Sequence, residues 1–170
     1  MIIQSTTFIE PTKIYAGCIA EFENIWPDHE NIIKKIETEL TIPNSPLATY
    51  WEKAGVMNGE DNIRTNTIFP LNHLASVDIT CTEINNRFYT DAYSAITWYK
   101  KHFSIGEDIY ESSKEGLDLL RYQTGEEYKL HYDGGTETGR CVSPILYLND
   151  DYEGGFLEFP FHQLKIKPTT

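Results

Sequence analysis

Leu119–Asp133 reads LLRYQTGEEYKLHYD, and the fold prediction starts from this segment. Two apolar and aromatic runs flank a polar centre that contains Gly125, a pattern typical of a short β-hairpin. On the second run, His131 and Asp133 are two residues apart. In a β-strand this spacing directs both side chains to the same face. The segment therefore predicts an imidazole and a carboxylate that converge and could bind one divalent metal ion.

Length and composition indicate a single folded domain. The chain has 170 residues, of which 40% are hydrophobic and 13% aromatic, enough to bury a core. Its formal net charge is −12 and its pI is about 4.7. Because phosphate contacts need clustered Lys and Arg, this acidic balance argues against a nucleic-acid partner.

The N-terminus and the cysteines argue against several other classes. The first residues, MIIQSTT, lack the basic and apolar regions of a signal peptide, and no apolar run approaches the roughly twenty residues of a membrane span. We therefore expect a cytoplasmic protein without a membrane partner. Cys18, Cys81 and Cys141 form no Cys-x-x-Cys pair, so they predict buried thiols and neither a zinc site nor disulfides.

The N-terminal part, about 1–112, predicts two helices, a strand near Lys13–Ile19 and a loop over 41–74. The first helix begins at Pro27–Asp28, with Asp28 as N-cap. Its apolar stripe consists of Ile32, Ile33, Ile36 and Leu40. Thr90 or Asp91 is expected to cap the second helix. The apolar positions of that helix are Ala92, Ala95, Ile96, Tyr99 and Phe103.

From about residue 113 to 170 the pattern changes to short strands. They are predicted at 117–122, 127–133, 140–148, 155–159 and 163–167. Glycine-containing turns separate them, at Gly134–Gly135 and within Asp150–Gly155. The whole pattern predicts helices followed by a β-rich part in one domain, an α+β arrangement.

Several motifs follow one another from Leu120 onward. They are Leu120–Tyr122, Tyr128-x-x-His131-x-Asp133, Tyr147–Asp150 and Gly154–Pro160. Their order resembles that of the 2-oxoglutarate- and Fe(II)-dependent oxygenases, specifically the prolyl 4-hydroxylase-like branch. The resemblance implies a double-stranded β-helix, or jelly roll, with N-terminal helices packed on it, as a single domain over residues 1–170.

The resemblance also implies roles for individual residues. His131 and Asp133 are the catalytic metal ligands that bind Fe(II) together with a second histidine. Tyr122 donates a hydrogen bond to the distal carboxylate of the cosubstrate 2-oxoglutarate. Tyr128 and Arg140 contact the substrate, and ascorbate is a further cofactor. From the residues alone, the alternatives are a core aromatic role for Tyr122, a packing role for Tyr128 and a solvent-exposed strand end for Arg140.

The implied reaction is hydroxylation of an unactivated carbon, such as that of a peptidyl proline. Dioxygen is consumed and 2-oxoglutarate is decarboxylated to succinate. The substrate would be a peptide, a protein or a small molecule. Metal and cofactors carry the chemistry, and the protein binds, orients and excludes water.

The C-terminal part departs from the family pattern. The second histidine and the basic residue that pairs with the distal carboxylate normally follow the Gly-Gly turn, but His162 is the only histidine after Asp133. We therefore expect a fragment without the closing strands, inactive on its own and prone to self-association through unpaired strand edges. The alternative is a noncatalytic jelly-roll module with a binding or structural role.

Overall fold

The computed structural model describes four stretches of the chain, residues 9–55, 63–105, 116–133 and 142–170. The chain divides into two compact units. The first comprises Met1–Glu30, Arg87–Glu111 and Cys141–Thr170. The second comprises Asn31–Asn86 and Ser112–Arg140. The described strands form three small antiparallel sheets, with the orders β1-β2, β3-β4-β5 and β6-β7. The jelly roll stays a prediction.

The elements follow one another in the order β1 (Lys13–Tyr15), β2 (Ile19–Glu21), α1 (His29–Lys35), a π-helical turn (Ile36–Leu40), a 3-10 helix (Pro46–Tyr50), β3 (Glu52–Lys53), β4 (Thr67–Phe69), α2 (Leu71–Leu74), α3 (Ile79–His102), β5 (Leu119–Arg121), β6 (Leu157–Phe159), a 3-10 turn (Pro160–His162) and β7 (Leu164–Ile166). Within the described ranges, no helix is both long and apolar enough to cross a membrane.

Two hairpins give the first unit its strands. The pairing of β6 with β7 confirms the strands predicted at 155–159 and 163–167, with narrower bounds. The single strand predicted near Lys13–Ile19 is wrong, because β1 and β2 form a hairpin there. Ala16 and Gly17 both take positive φ values at its tip, the backbone conformation that reverses an antiparallel pair tightly.

The second unit contains the largest fully buried side chains that the structure describes. They are Phe69, Leu40, Leu71, Asn66, Thr80 and Cys81. Three of these lie on β4 or beside it, so the strand segment that includes β4 is anchored in the core. Trp51 packs against Phe69 with ring centroids 5.3 Å apart.

Residues 63–72 pair with both apolar runs of the Leu119–Asp133 segment. β4 pairs with β5, and Asn72 N donates to Leu117 O. Farther along, Thr65 N donates to Glu127 O at 3.0 Å and Lys129 N donates to Ile63 O at 2.8 Å. The predicted hairpin is therefore wrong, since the two runs bind a common neighbour and not each other. The turn at Gln123–Glu126 protrudes between them.

The strand predicted at 127–133 is reduced to one bridge, between Arg64 and Tyr128. The chain bends at Leu130. This residue is 66% exposed, so it packs too little against its surroundings to keep the run extended along a sheet. Residues 142–148 form no strand, which corrects the prediction for 140–148; residues 140 and 141 lie outside the described ranges. Pro144 lacks the N–H that a ladder needs.

α3 begins at Ile79, so the start predicted at Thr90 or Asp91 is wrong. Asp78 Oδ1 accepts a hydrogen bond from Cys81 N at 2.8 Å, the pattern of an N-cap. The first turns are rich in Thr and Asn, which have modest helix propensity, but they bury Ile84 and its neighbours, and this packing outweighs propensity. Asp91 instead accepts a hydrogen bond from Trp26 Nε1 at 2.7 Å.

The first helix begins at His29, as the Pro27–Asp28 start predicts, and its π-helical continuation ends at Leu40. Asp28 Oδ1 lies 2.6 Å from Arg87 Nη2, and this hydrogen-bonded ion pair lowers the pKa of Asp28. The loop predicted over 41–74 is wrong in its described part, which contains a 3-10 helix, two strands and α2. β4 contains β-branched residues that favour a strand, but the Asn-rich sequence beside them is typical of a loop and leads to the loop prediction.

Gly125 provides a test of the protruding turn. Its φ is +86°, and Gly125→Ala should lower the free energy of unfolding by about 1 kcal/mol through backbone strain alone, because an added Cβ meets nothing within 4 Å. Gly55→Ala is the matched control, since it also has open space but no positive φ. Urea denaturation measures both, and equal stability of the two variants would contradict the turn conformation.

Candidate metal centre

His131 and Asp133 lie side by side. His131 Nε2 is 3.1 Å from Asp133 Oδ1, and the two side chains are 30% and 40% exposed, so solvent reaches the pair. Nitrogen and oxygen ligands bind first-row divalent metals at about 2.0–2.2 Å, so two ligands at right angles lie about 3.0 Å apart. The separation of the pair therefore matches that of neighbouring ligands of one metal ion.

The second ring nitrogen of His131 determines what Nε2 presents to the carboxylate. His131 Nδ1 lies 2.6 Å from the Lys129 carbonyl oxygen, and a carbonyl oxygen can only accept. Nδ1 must therefore carry a proton, and in the neutral ring Nε2 directs a lone pair at Asp133. A cation between these two electron-rich atoms, either a metal ion or the proton of an imidazolium, would stabilise them together. A backbone carbonyl on the remote nitrogen is also what orients most metal-binding histidines.

Tyr128 stacks on His131, with ring centroids 3.6 Å apart and planes at 12°. In a regular strand a spacing of three would place these rings on opposite faces, so the bend at Leu130 brings them together. The Arg64 guanidinium carbon lies 4.7 Å from the centroid of the Tyr128 ring. Because the imidazole already covers one face of the phenol, Arg64 must lie over the other.

Arg64 also interacts with Tyr122. Partial burial raises the pKa of the Tyr122 hydroxyl, and the positive charge of the nearby Arg64 guanidinium acts in the opposite direction. Tyr122 is nevertheless 45% exposed, more than a core side chain would be. Arg64 Nε donates to the buried Asn66 Oδ1 at 3.0 Å, so the guanidinium is held in place. A phenol with a guanidinium nearby offers suitable donors for a carboxylate.

The other histidines lie elsewhere. His162 is in the first unit, where its Nε2 is 3.8 Å from Cys18 Sγ. His102 stacks on Trp98, and His29 Nδ1 is 3.1 Å from Trp26 O. His73 interacts electrostatically with Asp118. In the part of the chain that the structure describes, no three His, Cys, Asp or Glu side chains are grouped so that they could hold a metal.

Each cysteine predicted to be a buried thiol has a different outcome. Cys81 is fully buried, and desolvation is the main cause that raises its pKa to about 12. Cys18 is exposed, so the prediction is wrong there, because Cys18 directly follows the β1–β2 turn, whose residues Ala16 and Gly17 are exposed as well. Cys141 lies outside the described ranges.

Arg140, the second predicted substrate contact, also lies outside the described ranges. Sequence reasoning missed Arg64 and Asp118. Burial raises the pKa of Asp118 and Arg64 opposes that shift, so Asp118 lies within electrostatic reach of Arg64. The signal that could have found Arg64 is the β-rich run IRTNTIF at 63–69.

No family model and no solved structure matches this chain. Part of the chain is similar to a prolyl 4-hydroxylase. The relative is a protein from Arabidopsis thaliana described as "Probable prolyl 4-hydroxylase 9", and the identity is 32% over 78 residues. The match covers 42% of this chain and 27% of the relative. The similarity is therefore to a hydroxylase of the prolyl 4-hydroxylase kind, over a minor part of its length.

The contact between Arg64 and Tyr122 predicts a change in ionisation. Arg64→Met should raise the pKa of Tyr122 further, because a nearby cation that stabilises the phenolate is lost. Arg121→Met is the matched control, since the Arg121 guanidinium stacks on Trp51 at 4.4 Å. NMR titration of tyrosine labelled at Cζ, with Tyr122→Phe for assignment, measures the shift. A Tyr122 pKa unchanged in Arg64→Met would contradict the contact.

Proposed function

We propose that this chain contains part of a 2-oxoglutarate- and Fe(II)-dependent oxygenase that hydroxylates an unactivated carbon, such as that of a peptidyl proline, within a jelly-roll fold. The observation that carries the proposal is the geometry of the His131–Asp133 pair, with Nε2 and Oδ1 3.1 Å apart and Nδ1 bound to a backbone carbonyl. The partial similarity to a probable prolyl 4-hydroxylase supports the same class.

His131 Nε2 and Asp133 Oδ1 would hold Fe(II) as two of the three ligands of a two-histidine, one-carboxylate site. The donor set fits, because an imidazole nitrogen and a carboxylate oxygen suit this metal and the hydrogen bond to Lys129 O fixes the reactive nitrogen. When bound, Fe(II) and 2-oxoglutarate, with ascorbate as reductant, would supply the activation of dioxygen and the release of succinate. The third ligand would be a second histidine.

Tyr122 would bind the distal carboxylate of 2-oxoglutarate through its hydroxyl. The nearby Arg64 supports this role, because its guanidinium brings a positive charge and N–H donors into the surroundings of the hydroxyl. The chain as a whole is acidic, so a local cation is needed wherever an anionic cosubstrate binds. Tyr128 and Arg140 are the proposed substrate contacts, through the Tyr128 hydroxyl and the Arg140 side chain.

A noncatalytic binding or structural module is the second candidate function. The observation that favours it is the lack of a third metal-binding side chain near the pair within the residues described. Such a module could bind a metal weakly but would have no use for a keto acid. Binding of 2-oxoglutarate therefore separates the two candidates.

The first test is metal binding. His131→Ala and Asp133→Ala should each lower the affinity for Mn(II), a redox-inert stand-in for Fe(II), by at least about tenfold because each removes a ligand. Calorimetric titration measures the affinities. His162→Ala is the matched control and should leave Mn(II) binding unchanged. His162 and its neighbour Cys18 both belong to the first unit, whereas His131 and Asp133 belong to the second. Equal affinity in the parent and in both ligand variants would refute the site.

The second test is cosubstrate binding. Tyr122→Phe should weaken the binding of 2-oxoglutarate in the presence of Mn(II) by roughly ten- to a hundredfold, because a hydrogen bond to a charged group contributes about 1.5–3 kcal/mol. Tyr93→Phe on α3 is the control for loss of an exposed tyrosine hydroxyl. Unchanged binding in Tyr122→Phe would remove Tyr122 from the site, and a parent protein that binds Mn(II) but no 2-oxoglutarate would favour the noncatalytic module.

A further inference from the structure

We propose that Tyr128, supported by Arg64, is a positioning residue that fixes the plane of the His131 imidazole so that Nε2 can bind the metal. This inference rests on the proposed function, because it concerns a ligand of the proposed metal. It gives the Tyr128 ring a role that does not depend on its hydroxyl and that differs from a substrate contact.

A histidine ring needs two constraints before its nitrogen points in one direction. The outer torsion of the side chain has a broad, roughly two-fold energy profile, so an unconstrained ring tilts and flips. The bond from Nδ1 to Lys129 O opposes flipping, since it is made by one nitrogen only. The bond weakens, however, when the ring tilts so that Nδ1–H no longer points at the carbonyl oxygen, so a ring that is free to tilt also loses its preference for a proton on Nδ1. The Tyr128 ring, 3.6 Å away and within 12° of parallel, supplies that second constraint.

Arg64 keeps Tyr128 from moving away. Arg64 and Tyr128 are bridge partners on neighbouring segments, so their side chains stand beside each other. The guanidinium lies 4.7 Å from the ring centroid and is anchored by Asn66, which is fully buried. The order Arg64, Tyr128, His131 is therefore a three-layer stack. One end is bound to the core of the second unit and the other end carries the metal-binding nitrogen.

The bend after Tyr128 allows the stack to form. A straight strand would present Tyr128 and His131 on opposite faces, where the phenol could not contact the imidazole. The bend at Leu130 brings the two rings onto the same side, while the pairing of Glu127 and Lys129 with residues 63–65 holds the preceding backbone. The departure from strand geometry is thus the feature that makes the stack possible.

The experiment compares three variants at these positions. Tyr128→Phe keeps the ring and should bind Mn(II) within about twofold of the parent protein. Tyr128→Leu removes the ring and should weaken binding by about three- to tenfold, the range expected for loss of one aromatic contact. Arg64→Met keeps the Tyr128 ring but removes the guanidinium that supports it, and should weaken Mn(II) binding about two- to threefold. Tyr93→Leu, on α3 in the other unit, is the control for a tyrosine-to-leucine change.

A second measurement separates positioning from general stability. In the metal-free protein at about pH 8.5, well above the ordinary pKa of histidine, nitrogen NMR shifts report the fraction of His131 with the proton on Nδ1. That fraction should be high in the parent and in Tyr128→Phe, and lower in Tyr128→Leu and Arg64→Met. If Tyr128→Leu fails to fold, Arg64→Met decides, because it leaves the backbone pairing of residue 128 intact.

The outcomes distinguish this inference from the proposed function. Loss of the Nδ1–H preference in the ring-deleted variant, with rescue by phenylalanine, supports the stack even if the parent binds no Mn(II), and that second result counts against the proposed function alone. An Nδ1–H fraction that is the same in the parent, Tyr128→Leu and Arg64→Met overturns the inference. A loss of Mn(II) affinity in Tyr128→Phe equal to that in Tyr128→Leu also overturns it, because the hydroxyl would then be the active group.

Discussion

Backbone hydrogen bonds along residues 63–72 hold the segments that carry Tyr122 and Tyr128. On one stretch this segment pairs with β5, which leads directly into Tyr122, and on the other it pairs with residues 127–129, which lead into the bend and His131. Its own side chains supply Phe69 to the core and Arg64 to the site. The site therefore depends on cross-strand pairing more than on burial, since the metal-binding pair itself is partly exposed.

The partial exposure of His131 and Asp133 limits how much their contact contributes to the stability of the fold. Because water reaches both side chains and screens the interaction between them, the contact of the imidazole with the carboxylate contributes little to stability. Two directional contacts hold the imidazole in place. They are the hydrogen bond from His131 Nδ1 to Lys129 O and the stacking of the Tyr128 ring on the His131 ring. Both constraints act on the imidazole of His131 and fix the direction of its Nε2.

The spacing of His131 and Asp133 predicted that they would lie together, and the structure brings them to 3.1 Å. The reason differs from the one that the sequence indicated, because the run is bent and not a regular strand. Local spacing could not reveal that Leu119–Arg121 and residues 127–129 share a distant partner, since that partner lies in a polar, Asn-rich stretch resembling a loop. The late start predicted for α3 has a similar origin, because tertiary burial of Ile84 and its neighbours outweighs the weak helix propensity of its first turns.

The turn at Gln123–Glu126 has a consequence for how such a chain can vary. Gln123 N donates to Glu126 Oε2 at 2.7 Å and Glu126 N to Gln123 O at 3.0 Å, so the turn closes on itself without help from the sheet. Residues on either side of it are each fixed independently to 63–72. Insertions or deletions confined to this turn would therefore leave the pairing intact on both sides. Homologous chains could differ in length here while keeping the phenol of Tyr122 and the ring of His131 at one separation, which makes this turn a natural place for an inserted label or affinity tag.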